Sequence, residues 1–298
     1  SGIGVFGGET DNWQWPRHTG DWSYYRAYVT KDGKAAPYSK ENVPYRPKHF
    51  LKVSTQGATP GDVVFVAGYP GRTQRLQTFG EIRHTVDWAY PRVVRRYADQ
   101  LALLDEVSKG SKETEIKVAS KKRGLNNTLT NIKGKLEGML NGGLLKVKEA
   151  QEKDLRAWIA ADAKRQKEYG DVLPALDAVL AEELKTRDHD ATLGALGGAS
   201  SLLQAASTLN RLSLERPKKD IDREPALQER NWTRVKDMLE RMQRSLDLKA
   251  DRALLRYVMV EVAKLPAAQR IAVVDKAAGL TPGMTDGDAG KAIDAYLD

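Results

Sequence analysis

The aromatic residues of this chain are concentrated in its first third, and this asymmetry constrains the fold more than any other feature. Of the 21 aromatic residues, 16 lie in residues 1–99 and only 5 in residues 100–298. Seven of the 12 prolines also lie in that first third. Short aromatic segments bounded by Pro or Gly are typical of β-strands. We therefore predict an antiparallel barrel or sandwich for the first third and a different architecture for the remainder.

Three segments of the first third have the length and composition of strands. They are residues 22–30, which a turn signal at residues 31–34 follows, residues 49–54, and residues 62–67. Each is apolar or aromatic and ends near Pro, Gly or Asp, the residues that favour turns. The sequence therefore predicts strands at these three places.

From about residue 86 the apolar residues recur at helical spacing. Val93, Tyr97, Leu101 and Leu104 follow one another at intervals of three and four, as one face of a helix requires. Similar spacing recurs at residues 155–163, 173–180 and 235–242, with breaks predicted near Gly170, residues 197–198, Pro217, Pro225, Pro266 and Gly279. We therefore divide the chain into a β part, residues 1–85, and a helical domain, residues 86–298, which together make an α+β fold.

Three glycines lie four residues apart within the helical part. Gly134, Gly138 and Gly142 share one helix face. A glycine inside a helix costs about 1 kcal/mol relative to alanine, so a close approach of another backbone would explain them. Charged residues between them exclude a membrane dimer of GxxxG type. We expect a tight helix crossing or a kink at this face.

Composition and charge exclude several functional classes. The net charge is +8, but residues 1–99 hold 14 Lys and Arg against 9 Asp and Glu, and the remainder 34 against 31. No concentrated basic stripe forms, so nucleic-acid binding is not expected. The chain has no cysteine, its four histidines lack metal-ligand spacing, and no apolar run is long enough to span a membrane. We expect no metal, no organic cofactor and no membrane insertion.

Residues 9–22 form the densest unusual segment of the sequence. They contain three tryptophans, His18 and the carboxylates of Glu9, Asp11 and Asp21. Aromatic side chains beside ionisable groups can wall off a site from water and shift pKa values. A Trp-rich loop that closes one end of a barrel has the same composition. The residues alone leave these two interpretations equal.

Three segments, taken in order, resemble a known family. Residues 7–22 look like the region around the catalytic Asp of the bacterial dipeptidyl-peptidases 7 and 11, serine exopeptidases that include dipeptidyl aminopeptidase BII. Residues 68–71 with Arg72 are similar to the end of the first barrel in that family, and residues 124–127 to its substrate-binding helix. The resemblance implies the last part of a chymotrypsin-like β-barrel followed by a large inserted helical domain that caps the active site.

The resemblance also implies roles for four residues. Asp21 matches the triad Asp, which orients the catalytic His and stabilises its imidazolium. Asn12 and Trp13 match residues that hold the N-terminal end of the substrate, and Asn127 matches an amide that contacts the α-amine. An Asn carbonyl can accept a hydrogen bond from an ammonium group without adding charge. If the register is wrong by one residue, Asn126 takes the place of Asn127.

The implied enzyme would be incomplete within these residues. In the family the catalytic His precedes the Asp and the Ser follows the second barrel, and we expect both to lie outside residues 1–298. His18 is expected to belong to the Trp-rich loop. The sequence begins and ends as though within a longer protein, so we expect an internal fragment that is inactive alone.

The first hypothesis is therefore a fragment of a dipeptidyl aminopeptidase that acts on peptides with a free N-terminus. By the resemblance, the parent protein would be periplasmic or on the cell surface and would form a homodimer. The second hypothesis is a helical binding or assembly module with a small β appendage and no peptidase role. The two differ in whether a His upstream and a Ser downstream complete a triad.

Overall fold

The computed structural model of the chain describes residues 12–13, 16, 24–69, 71 and 74–298. Contacts divide the chain into two units, Ser1–Gln77 and Thr78–Asp298. The first helix begins at Phe79, within the residues that we assigned to the β part.

The described part of the first unit contains one pair of short antiparallel strands. Strand β1 spans Tyr28–Val29 and strand β2 spans Val43–Pro44, with Val29 opposite Val43. A tight turn follows β1, in which the Thr30 amide donates to the Lys34 carbonyl at 3.0 Å. Gly33 lies in this turn at φ +82°, a conformation that favours glycine. The turn predicted at residues 31–34 is therefore confirmed.

Two of the three predicted strands are absent from the structure. Residues 49–54 and 62–67 have no strand assignment. Their apolar side chains face solvent, and Leu51 and Val66 are 96% and 95% exposed. A strand requires hydrogen bonds from a neighbouring strand, and the described residues supply no partner to either segment. Apolar composition alone therefore overpredicted regular structure here.

The second unit is helical throughout its length. A short helix and a π-helical turn lead into a series of longer helices, joined by brief 3₁₀ turns at 220–222, 225–227, 229–231 and 267–269. The helices are α1 (Phe79–His84), the π-helix Thr85–Ala89, α2 (Tyr90–Ser108), α3 (Lys112–Asn141), α4 (Leu144–Ala160), α5 (Ala163–Tyr169), α6 (Val172–Ala199), α7 (Ser201–Glu215), α8 (Trp232–Ser245), α9 (Leu248–Ala263), α10 (Ala272–Ala278) and α11 (Asp286–Leu297).

The predicted helix at residues 93–104 is confirmed as the central part of α2, and residues 235–242 lie in α8. The predicted breaks near Pro266 and Gly279 are also confirmed. Gly279 ends α10 in the left-handed conformation, at φ +64°. The predicted break at residues 197–198 is slightly early, because α6 continues to Ala199.

Helix α9 lies at the centre of the packing in this unit. Its Leu254 packs with Leu104 of α2 and Val118 of α3, and its Val262 packs with Ile293 of α11. A separate small core joins α7 and α8 through Leu212 and Val235. Helix α3 is therefore held on one face by α2 and α9.

The glycine face of α3 was predicted to mark a tight helix crossing or a kink; the crossing is wrong, and the kink stays a prediction. A side chain placed at Gly134 or Gly138 would meet no heavy atom within 4 Å among the described residues. At Gly142 the near atom is the Gly138 carbonyl of the same helix, where the chain turns out of α3. These glycines face open space rather than another backbone. None of the helices described is long and apolar enough to cross a membrane.

Candidate functional site

Asn12 and Trp13 form a turn that presents an aromatic ring to solvent. Trp13 has φ +63°, in the left-handed region, and its side chain is 57% exposed. A bulky residue in this region is strained by about 1–3 kcal/mol, and such strain is common at ligand-binding sites. Asn12 is half-buried beside it. The backbone of Trp13 is therefore strained, and its indole stays largely exposed to solvent.

The remaining predicted residues of this segment lie outside the described residues. Asp21, the predicted triad carboxylate, is among them, and so is His18. Their predicted roles stay predictions.

Asn127 lies on the exposed face of helix α3. It follows Val118, which is buried against α2 and α9, by nine residues. Nine residues at about 100° each place it on the opposite side of the helix. Asn127 is accordingly exposed, whereas Asn126 is half-buried. Geometry thus makes Asn127 the more accessible of the two amides.

The surroundings of Asn127 leave room for a ligand. A side chain at Gly124, three residues earlier, would meet no heavy atom within 4 Å in the part of the chain that the structure describes. The Thr128 hydroxyl turns back to donate to the Gly124 carbonyl at 3.1 Å. The polar side chain next to Asn127 is therefore occupied by its own helix, and the space beside Gly124 is open.

The beginning of α3 is fixed by side-chain hydrogen bonds. The Ser111 hydroxyl accepts from the Thr114 amide at 3.2 Å and caps the helix. The Thr114 hydroxyl in turn donates to Asp247, the cap of α9, at 2.8 Å. Burial would raise the pKa of Asp247, but the hydrogen bonds from the Ala250 amide and Thr114 outweigh it and lower that pKa. An ionised carboxylate thus joins the starts of two helices.

One cluster of titratable residues was missed by sequence reasoning. His84 stacks on Trp88 with their rings 5.0 Å apart, and the guanidinium groups of Arg92 and Arg187 lie over the same indole at 5.3 and 4.9 Å. Burial and then the charge of Arg187 lower the pKa of His84, partly offset by Glu183. The π-helical turn at Thr85–Ala89 brings these side chains together, and helical spacing rules do not anticipate such a turn.

The described residues form no cluster of three His, Asp or Glu that could hold a metal ion. Several cavities lie among the helices of the second unit. One of about 230 Å³ lies between α3, α9 and the start of α7 and is lined by Lys121 and Asp251, among others.

Comparison with known proteins decides the family. The family model described as Peptidase S46 matches residues 1–296. The chain belongs to the peptidase S46 family. The predicted resemblance is therefore confirmed at the level of the family.

Relatives of this S46 chain carry dipeptidyl-peptidase names. The Asp/Glu-specific dipeptidyl-peptidase of Shewanella putrefaciens is 33% identical over 287 residues, which are 96% of this chain and 38% of that protein. Dipeptidyl-peptidase 7 of Capnocytophaga gingivalis is 36% identical over 174 residues, 58% of this chain and 24% of that protein. The S46 chain thus spans well under half the length of these relatives.

Solved structures agree with the family assignment. DPP11 of Porphyromonas endodontalis in complex with the dipeptide Arg-Glu superposes with a TM-score of 0.67 and 25% identity. The match covers 100% of the S46 chain and 42% of the DPP11 chain. The same protein in complex with substrate gives a TM-score of 0.63 at 24% identity.

Proposed function

We propose that this chain is part of a serine dipeptidyl-peptidase that releases dipeptides from peptides with a free N-terminus. The observation that carries the proposal is the family match over residues 1–296, together with a relative named Asp/Glu-specific dipeptidyl-peptidase that aligns over 96% of the chain. The match includes both segments that bear the proposed site residues, 7–22 and 124–127. The similar DPP11 structure was solved with a dipeptide.

Asp21 is proposed as the triad carboxylate. In a serine peptidase the carboxylate accepts a hydrogen bond from Nδ1 of the catalytic His, which holds the ring in the reactive tautomer. The His Nε2 then takes the proton of the Ser hydroxyl as that oxygen attacks the peptide carbonyl, and an acyl-enzyme forms. The proposal assigns the His and the Ser to parts of the parent protein outside residues 1–298.

Asn12, Trp13 and Asn127 are proposed to hold the substrate's N-terminal end. Two features support this: the exposed Trp13 ring is held in a strained turn, and Asn127 is exposed beside open space. An ammonium group needs acceptors aimed at it, and the amide oxygen of Asn is one. A clamp on the free amine makes an exopeptidase, because a blocked or internal peptide cannot satisfy it.

The fold and setting of the parent protein belong to the same proposal. The β part, predicted as residues 1–85, would be the end of a chymotrypsin-like barrel up to residue 77, and the helical domain that caps its active site, predicted as residues 86–298, would begin at residue 78. The exposed apolar side chains of residues 49–54 and 62–67 fit this assignment, because paired strands would bury them. We also propose, from the resemblance, that the parent protein is periplasmic or on the cell surface and forms a homodimer.

The decisive experiment uses the complete reading frame and two matched substrates. One is a fluorogenic dipeptide with a free amine and the other is its N-acetylated form, each prepared with Glu and with Leu as the second residue. We expect hydrolysis of the free-amine form alone. A comparison of Glu with Leu then assigns the preference at the cleavage position.

Two other results would change the proposal. Hydrolysis of both forms would support peptidase activity but would refute the proposed role of Asn12, Trp13 and Asn127 in binding the free amine. Hydrolysis of neither form, with either second residue, would favour the helical binding or assembly module. Cell fractionation and sedimentation of the same protein test the location and the dimer.

A further inference from the structure

Helices α6 and α7 meet at a buried junction, where the C-terminal end of α6 lies next to the N-terminal end of α7. Helix α6 ends at Ala199 and α7 begins at Ser201, so only Ser200 lies between them. Ala199 and Ser200 are both buried. A helix carries partial negative charge at its last carbonyls and partial positive charge at its first amides. This junction therefore needs an anion on one side and a cation on the other.

Asp251 of α9 supplies the anion. Its Oδ1 accepts from the Ser201 amide at 2.6 Å, and its Oδ2 accepts from the Ser200 hydroxyl at 2.6 Å and the Leu202 amide at 3.3 Å. The Ser200 hydroxyl also accepts from the Leu203 amide at 3.0 Å. The N-terminal end of α7 is thus joined to α9 by hydrogen bonds to Asp251.

Lys121 of α3 supplies the cation. Its Nζ donates to the Ala199 carbonyl, the last of α6, at 3.2 Å. Burial lowers the pKa of Lys121, and the nearby charge of Asp251 partly offsets this. Lys121 is half-buried, and a lysine amine that is partly removed from water is stabilised by such a hydrogen bond. Its hydrogen bond to the end of α6 therefore adds a further contact that holds this part of α3, beside the packing of α3 against α2 and α9.

The position of Lys121 along α3 links this junction to the proposed site. Asn127 follows six residues later, which is about 9 Å along the helix at 1.5 Å per residue. The helix is continuous between them, so a rotation or slide of α3 at Lys121 is carried to Asn127. Side chains at Gly124, Gly134 and Gly138, on the outer part of α3, would meet no close neighbour among residues 24–69 and 74–298. The orientation of Asn127 therefore depends on what holds the inner part.

We propose that Lys121 is a positioning residue, which orients Asn127 by fixing α3 to the end of α6. This inference rests on the proposed function, in which Asn127 contacts the substrate amine. Lys121 would touch no substrate itself. Its loss should weaken recognition of the free amine and leave the chemical step intact.

Lys122 offers a matched control. It is adjacent, partly buried, and forms an ion pair with Asp105 of α2 rather than with the α6–α7 junction. A general loss of α3 packing should follow from either substitution. Only loss of the contact with the α6–α7 junction should weaken recognition of the substrate's free amine.

The test compares Lys121→Met and Lys122→Met in the complete reading frame, each with and without Asn127→Ala. We expect Lys121→Met to raise KM for the free-amine substrate about tenfold with kcat within about twofold, as loss of ground-state binding predicts. In the Asn127→Ala background the same substitution should change KM less than about twofold, because residues that act through one another are not additive. Lys122→Met should leave KM near wild type in both backgrounds.

Several outcomes would overturn the inference. A KM for Lys121→Met within twofold of wild type would do so, and so would an equal rise with and without Asn127. If Lys121→Met fails to fold, Lys121→Gln keeps a donor without the charge and should give an intermediate KM, whereas wild-type KM would refute the role. Wild-type protein that releases no dipeptide refutes the proposed function itself, and this role with it. An active wild type with unchanged variants refutes only the role of Lys121.

Discussion

Residues 24–69 and the helical unit place their apolar side chains in opposite environments. In the first region Leu51 is 96% exposed and Phe65 94%. In the helical unit Leu254 is 2% exposed and Ile293 is fully buried. Both regions contain ample apolar residues, so composition does not explain the difference. The difference lies in where each region finds its hydrogen-bond partners.

A helix satisfies its backbone within the segment that forms it, whereas a strand depends on residues far away in the chain. The helical unit can therefore build its own core from successive amphipathic helices. Residues 49–54 and 62–67 have strand-like composition but no paired neighbour among the described residues. By our proposal this less regular region supplies the chemistry and the helical unit supplies the frame. The predictions below test that division.

The largest expected effect is on kcat, from a substitution at Asp21 in the first unit. Asp21→Asn in the complete reading frame should lower kcat by about 10⁴-fold, because the catalytic His would no longer be held in its reactive tautomer. The unfolding temperature should stay close to that of wild type. Steady-state kinetics and calorimetry on one preparation measure both quantities.

Asp32→Asn is the control for this prediction. Asp32 is an exposed carboxylate of the turn after β1, bonded to Thr30 and Lys34. Its replacement should leave kcat unchanged. Near-normal turnover of Asp21→Asn would remove Asp21 from the triad.

The next effect concerns stability rather than chemistry. Leu254→Ala should lower the free energy of unfolding by about 2–5 kcal/mol, the usual cost of a cavity in a packed core. Leu51→Ala in the same 298-residue chain should change it by less than about 0.5 kcal/mol, as for an exposed site. Chemical denaturation followed by circular dichroism compares the two variants.

The same pair also tests the proposed barrel. If residues 49–54 pair with further strands in the complete protein, Leu51→Ala should there cost as much as a buried leucine does, again about 2–5 kcal/mol. A negligible cost in the complete protein would argue that this region stays open. Leu254→Ala should cost the same in both lengths of chain.

Sequence reasoning succeeded where structure depends on near neighbours. Helix α2 was predicted because Val93, Tyr97, Leu101 and Leu104 repeat at the period of a helix, and the turn at residues 31–34 because Gly supplies a positive φ. It failed for residues 49–54, since pairing is not written in a segment's own composition. The predicted crossing at the glycine face of α3 also failed, because glycines can lie beside open space as well as at a close crossing, and the sequence does not distinguish the two.

Contacts between distant residues were beyond sequence reasoning. The hydrogen bond from Lys121 to Ala199 spans 78 residues, and the one from Thr114 to Asp247 spans 133. A lysine and a threonine on a mixed-charge helix look like solvent-facing residues. The site residues Asn12, Trp13 and Asn127 were proposed only through the resemblance, because a surface Asn carries no pattern of its own.

A smaller effect is expected where the helical unit enters the chemistry. Asn127→Ala should raise KM for the free-amine substrate by about 10- to 150-fold, since a hydrogen bond to a charged group contributes about 1.5–3 kcal/mol. The N-acetylated substrate should stay uncleaved, as with the wild-type protein. Asn126→Ala, one residue away and half-buried, is the matched control. If Asn126→Ala gives the larger KM, the register of the clamp is shifted by one residue.

The smallest effect is a pH dependence confined to the helical unit. Because the pKa of His84 is lowered in the folded chain, the unfolded state binds more protons once the pH falls below the ordinary value of about 6.5. Stability from this residue is therefore complete above that pH and is lost as the pH falls towards the folded pKa. The charge of Arg187 opposes protonation of the ring, and Glu183 favours it.

His84→Phe should keep the stacking on Trp88 and remove this dependence, so the loss of stability between about pH 6.5 and 5 should be shallower than in wild type. His189→Phe is the control, because its ring pairs with Asp190 at the surface and not with Trp88. Urea denaturation at a series of pH values measures the slopes. Identical slopes for wild type and His84→Phe would mean that His84 is protonated equally in both states. The helical unit would then owe its acid sensitivity to its carboxylates, such as Asp247, whose lowered pKa also makes stability fall with decreasing pH.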